Sequence, residues 1–233
     1  MASVYEGVLA GLKPEPAYTV SEWADRHRVL PQKGSSEPGR YRTARTPYIK
    51  EIVDNLHIMS PVTETCVVKA TQLGMTEAGN NWFGYTVDAS PGPMLMVFPT
   101  DALAEHHSKQ KLSPTIDETP VLFEKVKNNT NTKDFPGGIL FMSGANSPAN
   151  FRSKSIRYLF LDDIDGYPPH VGGEGDPAEL ARKRTDTYSV RKKIFEVSTP
   201  TTKGISRIEK SFNESDQRYY RVACPFCGTR QKL

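Results

Sequence analysis

The sequence predicts an α/β fold with a mainly parallel central sheet flanked by helices. Apolar, strand-like runs alternate with helical stretches along most of the chain, a pattern typical of parallel strands joined by helical crossovers. The 233 residues are 37% hydrophobic and 24% charged, so the chain can form a sizeable core. This composition argues against collagen-like, disordered and membrane-spanning classes, because the longest apolar runs are far shorter than the roughly 20 residues of a spanning helix.

The N-terminal part of the chain is predicted to form an extended arm. Its first forty-odd residues are rich in proline, glycine and charge, and they surround one helical stretch, Val20 to His27. We expect this arm to lie on another surface. A second helix is expected from Thr46, because Thr46 can cap it, Pro47 suits a first turn, and apolar residues recur at helical spacing up to Met59.

From residue 63 onwards, short apolar runs predict buried strands, and stretches with apolar residues three and four apart predict helices. The predicted strands are Thr63 to Lys69, Met94 to Phe98, Ile139 to Met142, Ile156 to Leu161 and Lys193 to Val197. The predicted helices are Thr76 to Val87, Asp101 to Leu112, one that starts at the capping residue Asp176, and Gly204 to Phe212. Turn-forming residues between 128 and 138 predict a surface loop or hairpin.

A candidate phosphate-binding loop connects the first of these strands to the following helix. It keeps Gly74 and Thr76 of the pattern GxxxxGK[ST], but Lys69 replaces the first glycine and Met75 replaces the usual lysine. A loop that curls around a triphosphate brings both of its ends near the phosphates, so Lys69 can supply the charge from the other side. Gln72, Gly74, Met75 and Thr76 are therefore nucleotide-binding candidates, with Thr76 as a Mg²⁺ ligand. Taken alone, this segment also fits an ordinary strand-to-helix turn.

Two carboxylates follow the apolar strand that ends at Leu161. Burying an acid at the end of a core strand costs free energy unless the carboxylate is paired, hydrogen-bonded or bound to a metal, so two acids here suggest a function. In a P-loop fold the first acid holds Mg²⁺ and the next polarises the attacking water, so Asp162 fits the first role and Asp163 the second. A polar strand end before a turn is the alternative interpretation.

Hydroxyl residues end a later strand in the same way. Ser198 and Thr199 are candidates for sensing the γ-phosphate, although a capping turn explains them equally well. In an open α/β sheet, ligands bind outside the carboxyl ends of the strands. We therefore expect Lys69, Asp162 and Ser198 to converge there.

In the order and spacing of its motifs, the sequence resembles the large subunit of tailed-phage DNA-packaging terminases of the lambda-like type. The resemblance covers nearly the whole chain, and the combination is far more specific than any single motif. The matching segments are 23–25, 28–30, 38–43, 46–48, 69–76, 98–100, 151–154, 161–168, 198–201 and 224–228.

The resemblance implies a P-loop ATPase that uses ATP and Mg²⁺ to drive double-stranded DNA into a procapsid, in the cytoplasm of an infected bacterium and without a membrane partner. It also implies a homo-oligomeric ring on the portal protein and a small terminase subunit as a partner. By position, Lys69 is the phosphate lysine, Asp162 the Mg²⁺ acid, and residues 198–201 the coupling motif. Tyr41 or Arg42 contacts the adenine. For the arginine that a neighbouring subunit contributes we name Arg152, with an ordinary surface arginine as the alternative.

The sequence departs from the family at the second acid. The family usually has glutamate there, whereas this chain has Asp163. One methylene fewer withdraws the carboxylate by roughly 1.5 Å, and a misplacement of that order can cost about a hundredfold in rate. Slow hydrolysis is therefore expected unless the site closes or Asp165 contributes.

Cys224 and Cys227 form CxxC near the C-terminus, half of a zinc site that needs two more ligands. Zn²⁺ is therefore expected only in a longer chain, and we expect a metal-free, frayed end here. The chain accordingly divides into three parts: an arm with the adenine-side motif at 1–45, a P-loop ATPase domain at 46–215, and a cut knuckle at 216–233 that leads to a missing nuclease domain.

Basic residues are concentrated between Arg182 and Lys193, where six Lys or Arg accompany one Asp. This cluster predicts weak, salt-sensitive DNA binding through Arg182, Lys183 and Arg184, although a solvated helix face is an equal alternative. Two other functions remain open. A helicase-like translocase shares the motifs but needs a second RecA-like half, and a non-catalytic zinc-knuckle DNA-binding module leaves the three strand ends unexplained.

Overall fold

The computed structural model describes residues 18–173 and 175–232. The part of the predicted arm between residues 1 and 17 lies outside these ranges. The helices are α1 Val20–His27, α2 Ile49–Asp54, α3 Met75–Asp88, α4 Asp101–His107, α5 Ser113–Glu118, α6 Pro120–Phe123, α7 Pro177–Arg182 and α8 Arg207–Asn213. The strands are β1 Val29–Leu30, β2 Gly39–Arg40, β3 Glu64–Val68, β4 Met94–Phe98, β5 Lys127–Asn128, β6 Thr132–Phe135, β7 Gly138–Gly144, β8 Tyr158–Asp162, β9 Lys193–Ser198, β10 Arg221–Ala223 and β11 Arg230–Lys232. None of the helices in the described ranges is long and apolar enough to cross a membrane.

Seven strands form one sheet in the order β3-β9-β8-β4-β7-β6-β5. The first five run parallel, and β6 and β5 continue the sheet as antiparallel hairpins. This arrangement confirms the predicted α/β fold with a mainly parallel sheet. Parallel strands place their carboxyl ends at one edge, so the residues after β3, β8 and β9 are brought to the same side of the molecule.

Most predicted elements form close to their expected bounds, and the differences have local causes. The helix expected from Thr46 to Met59 spans only Ile49–Asp54, with a 3-10 turn at Thr43–Arg45 before it. The helix expected from Asp101 to Leu112 is α-helical only up to His107, after which Ser108–Leu112 forms a π-helical turn. The turn-rich region between 128 and 138 forms the hairpins of β5, β6 and β7.

Helix α3 crosses the sheet at very close range. A side chain at Gly79 would come within 2.5 Å of the Phe160 ring on β8, and one at Gly84 would come within 2.0 Å of the Trp23 ring on α1. Both glycines are buried in the helix, where glycine costs roughly 1 kcal/mol relative to alanine. Because these two glycines have no side chain, α3 can approach Phe160 and Trp23 this closely.

The described part of the arm packs on α3. Trp23 belongs to the main core, and its Nε1 donates to Asp88 Oδ2 at the end of α3 over 2.9 Å. At the other end of α3, the fully buried Arg28 forms an ion pair with Glu77 at 2.7 Å. Burial lowers the pKa of Arg28, and the Glu77 carboxylate opposes that effect. The arm therefore fixes α3 at both ends.

Candidate nucleotide-binding site

The ends of three neighbouring strands form the centre of the site. Lys69 follows β3, Asp162 ends β8, and Ser198 ends β9. The amide of Lys69 donates to the Ser198 carbonyl at 3.0 Å, so the strand pairing continues one residue past β3. Lys69 and Asp162 both line one cleft, whereas the fully buried Ser198 side chain lies beside them and does not line it.

The predicted phosphate-binding loop between Lys69 and α3, here called the cradle, ends at the N-terminus of the helix. Gln72 and Gly74 have φ values of 61° and 77°, in the left-handed region, and Gly74 is the N-cap of α3. The first amides of a helix have no intrahelical partner, so they form a natural anion-binding site. The Tyr48 hydroxyl donates to the Leu73 carbonyl at 3.2 Å and holds the loop against the start of α2.

The displaced lysine lines the cleft and pairs with the second acid. Lys69 Nζ lies 3.1 Å from Asp163 Oδ1; the lysine side chain is only 9% exposed, whereas that of Asp163 is 53% exposed. Asp163 has φ 52° and ψ 54°, a left-handed conformation that costs a non-glycine residue about 1 kcal/mol or more. The strained backbone directs a carboxylate toward the cradle, where the ion pair with Lys69 holds it.

The buried Asp162 carboxylate fits a magnesium site. Its Oδ2 accepts a 2.9 Å hydrogen bond from the Thr76 hydroxyl, while its buried Oδ1 accepts no bond of normal geometry from any described residue. Burial raises the pKa of Asp162 to about 6, an effect that the Thr76 bond opposes and the charge of Asp163 reinforces. A hydroxyl beside a carboxylate with an unused oxygen is the sparse protein ligand set that Mg²⁺ takes when it also binds a nucleotide.

The loop before α3 and the two acids line a cleft of about 430 Å³. One wall is the cradle and the two acids. The other wall comes from the end of β4 and from α4 with its π-helical extension, which sequence analysis did not assign to the site. The residues of this second wall are Phe98, Pro99, Leu103, His106, His107 and Lys111.

His107 anchors the second wall to α3. Its Nε2 lies 2.9 Å from Asn80 Oδ1, and its ring lies against Phe98 with centroids 4.8 Å apart. Burial, with the nearby charge of Lys111, lowers the pKa of His107 to about 3, so the ring is neutral at physiological pH. In the sequence, the only sign of this wall is the pair His106 and His107 that follows Phe98-Pro99-Thr100. No spacing rule predicts that their helix packs beside α3.

Comparison with known proteins identifies the family. A profile described as "Phage terminase large subunit gpA, ATPase domain" matches residues 35–233. The chain belongs to this family. It is 33% identical over 242 residues to the terminase large subunit of Enterobacteria phage P21 and 31% identical over 240 residues to that of Escherichia phage lambda. Each alignment covers 99% of this chain but only 37% of the relative, so the chain spans little more than a third of their length.

Solved structures support the same fold at low identity. The large terminase of bacteriophage HK97 matches with a TM-score of 0.66 and 12% identity, over 84% of this chain and 40% of that one. The large terminase ATPase domain of Thermus phage P74-26 matches with a TM-score of 0.52 and 16% identity, over 73% and 71% of the two chains. The family match favours the terminase prediction over the helicase-like and zinc-knuckle alternatives.

Several predicted site residues of this terminase ATPase domain do not line the cleft. Tyr41 is a buried core residue whose pKa is raised by burial, and it lies beside Thr46 and Asn81. Arg42 is exposed, and so is Arg152, which follows a 3-10 turn at Pro148–Phe151. Met75, by contrast, does line the cleft, although its side chain is buried in the core.

The predicted coupling motif, residues 198–201, is bonded to the loop after the two acids. The buried Ser198 hydroxyl accepts from the Asp165 amide at 3.2 Å and donates to the Thr199 carbonyl at 3.1 Å. Asp165 in turn accepts bonds from the amide and hydroxyl of Thr201 and from the Ile208 amide. Burial would raise the pKa of Asp165, but these bonds and one from Ser206 lower it. A contribution from Asp165 is an exception that the prediction of slow hydrolysis allows; its carboxylate oxygens accept these bonds, and Asp165 does not line the cleft.

The C-terminal cysteines lie in an ordered turn. Strands β10 and β11 pair as a hairpin, the Cys224 amide donates to the Thr229 carbonyl at 3.0 Å, and the Cys227 thiol lies 3.4 Å from the Thr229 hydroxyl. The prediction of a frayed end is therefore wrong for residues 221–232. Within the described ranges no group of three or more His, Cys, Asp or Glu side chains is placed to hold a metal.

The environment of Asp162 predicts a pH dependence of stability. Its pKa of about 6 in the folded protein exceeds the ordinary 3.8, so folding takes up a proton between these values. The stabilisation is complete below pH 3.8 and is lost as the pH rises through about 6, by up to ~3 kcal/mol. Urea unfolding of the wild type and Asp162→Asn measures the difference in the free energy of unfolding. Parallel pH profiles for the two proteins would contradict this assignment.

Proposed function

We propose that this domain hydrolyses ATP with Mg²⁺ and that the hydrolysis drives double-stranded DNA translocation by a terminase large subunit. The observation that carries the proposal is the convergence of Lys69, Thr76, Asp162 and Asp163 on one cleft, in front of a left-handed loop at a helix N-terminus. A DNA-binding module without catalysis would have no use for this arrangement.

Each residue has a defined task in hydrolysis. The amides at the start of α3 and the ammonium group of Lys69 bind the phosphates. The Thr76 hydroxyl and the free oxygen of Asp162 would hold Mg²⁺, which neutralises charge on the phosphates when it is bound. Asp163 orients the attacking water. Lys69 is paired with Asp163, and an interaction of this lysine with the phosphates would release the carboxylate for that task.

Replacing the displaced lysine should abolish turnover. Lys69→Ala removes a preorganised charge from the phosphates, and we expect kcat for ATP to fall by about a hundredfold or more. Lys210→Ala, which removes an exposed lysine from α8, is the matched control and should hydrolyse ATP at the wild-type rate. The assay is phosphate release with Mg²⁺ at high protein concentration. A Lys69→Ala protein as active as the control would contradict the proposal.

Lengthening the second acid should raise the rate. Asp163→Glu extends the carboxylate toward the cleft, and a gain of up to about a hundredfold in kcat is expected if the aspartate is too short. Asp163→Ala should lower kcat and leave ATP binding intact. The comparison of kcat and KM for the three proteins tests the role directly, and an Asp163→Glu rate at or below wild type would refute it.

Partners and location are inferred from the family. We propose that the full-length protein forms a homo-oligomeric ring on the portal of a procapsid and works with a small terminase subunit in the cytoplasm of the infected bacterium. The exposed Arg152 is proposed to complete the site of a neighbouring subunit, and Arg42 with the Tyr41 segment to lie on the adenine side. Cys224 and Cys227 are proposed to supply half of a Zn²⁺ site in a longer chain.

The predicted DNA-binding cluster is divided by the structure. Arg182 is paired with Glu64 and Glu196, and the buried Lys193 donates to main-chain carbonyls, so neither presents its charge to DNA. Lys183 and Arg191 are exposed, and Arg184 is partly exposed beside them. We propose that these three residues make the weak, sequence-independent contacts with the DNA phosphates.

Salt dependence tests this surface. Replacing Lys183, Arg184 and Arg191 with glutamine should weaken binding to random-sequence duplex DNA. The slope of log K against log salt should fall by about one for each phosphate that the variant no longer neutralises. Lys210→Gln serves as the control, with binding close to wild type. Fluorescence anisotropy at several salt concentrations gives both quantities, and a triple variant with an unchanged slope would exclude this face as the DNA-binding surface.

A further inference from the structure

Arg207 lies outside every motif that sequence analysis identified, yet it contacts the loop after the two acids at three points. It is the first residue of α8, and its side chain is 21% exposed. Its Nη1 donates to the carbonyls of Ile164 and Tyr167 at 3.2 and 3.0 Å, and its Nη2 to the carbonyl of Pro168 at 2.8 Å. A planar guanidinium with several fixed donors can hold one loop conformation in this way.

The remaining Arg207 donor fixes the guanidinium itself. Nε donates to Asp176 Oδ2 at 2.7 Å, and the other oxygen of Asp176 caps α7 by accepting from the Ala178 amide at 2.8 Å. The side chain therefore spans from the cap of α7 to the loop. Three main-chain carbonyls and one carboxylate oxygen account for its orientation.

This loop begins at the strained residue of the site. Asp163 has a left-handed backbone, and its carbonyl accepts from the Gly166 amide at 2.9 Å in the 3-10 turn that Arg207 contacts. A non-glycine residue keeps such a conformation only where its surroundings enforce it. Arg207 bonds one carbonyl of this turn, that of Ile164, and the two carbonyls that follow it, those of Tyr167 and Pro168. The Tyr167 hydroxyl adds a 2.7 Å bond to the Val97 carbonyl.

We propose that Arg207 is a positioning residue for ATP hydrolysis. It holds Asp163 in the left-handed conformation that directs the Asp163 carboxylate to Lys69 and the cleft. Arg207 does not line the cleft and acts only through the loop from Ile164 to Pro168. The inference rests on the proposed function, because it assigns Asp163 to the attacking water.

Kinetics separate a positioning role from a general structural one. Arg207→Met should lower kcat for ATP by about tenfold to a hundredfold and leave KM little changed, since the phosphate cradle is intact. Arg207→Lys keeps one charged donor and should recover part of the rate. The control is Arg218→Met, which removes a surface arginine that pairs with Glu51 and Asp216, and it should retain the wild-type kcat.

A double-mutant cycle gives the decisive comparison. If Arg207 acts through Asp163, adding Arg207→Met to Asp163→Ala should cause no further loss of kcat. Equal losses in both backgrounds would overturn the proposal, because they would mean that Arg207 supports the fold or the site independently of Asp163.

Hydrogen exchange tests whether Arg207 holds the loop from Ile164 to Pro168, and it does not depend on ATP turnover. In Arg207→Met, exchange in a peptide covering residues 163–168 should accelerate by about tenfold while β4 stays protected. Unchanged loop exchange, or acceleration throughout the sheet, would overturn the proposal even where Asp163→Ala leaves too little activity to measure. If the wild type has no ATPase activity but Arg207→Met still accelerates exchange in residues 163–168, the proposed function is refuted, while the role of Arg207 in holding the loop is supported.

Discussion

The close crossing of α3 over the sheet is the constraint on which the rest of the structure depends. Gly79 lets the helix approach Phe160 on β8, and Gly84 makes room for Trp23 of the arm. The position of α3 in turn fixes Thr76 against Asp162 and places the helix N-terminus in front of the strand ends. A bulkier residue at Gly79 would push α3 away from β8 and so move Thr76 away from Asp162, whereas one at Gly84 would collide with the Trp23 ring of the arm.

Electrostatics in the cleft depend on this geometry. Two acids and one lysine lie within a small volume, and they differ mainly in their contact with water. Asp162 is buried and has a raised pKa, whereas Asp163 is half-exposed and is paired with Lys69. Lys69 therefore neutralises only Asp163, and the buried Asp162 carries the charge that no side chain of the cleft pairs with.

Sequence patterns predicted the sheet and the centre of the site because both depend on short-range rules. An apolar run before an acid, or a lysine before a glycine and a threonine, shows where a strand ends and where the next loop or helix begins. The second wall could not be predicted in this way, since His107 reaches the site only when α4 packs beside α3. The same limit applies to Arg182 and Asp165, whose charges are used by partners distant in sequence. Charge counts along a chain do not show which charges are already paired.

Tyr48 connects two parts of the molecule that are far apart in sequence. Its hydroxyl bonds the Leu73 carbonyl in the phosphate loop, while its ring makes an edge contact with Tyr220, immediately before the C-terminal hairpin, at 5.8 Å between centroids. One aromatic side chain is thus shared by the nucleotide cradle and the chain's last pair of strands. Any displacement of the hairpin that moves Tyr220 must break this ring contact or carry the floor of the cradle with it.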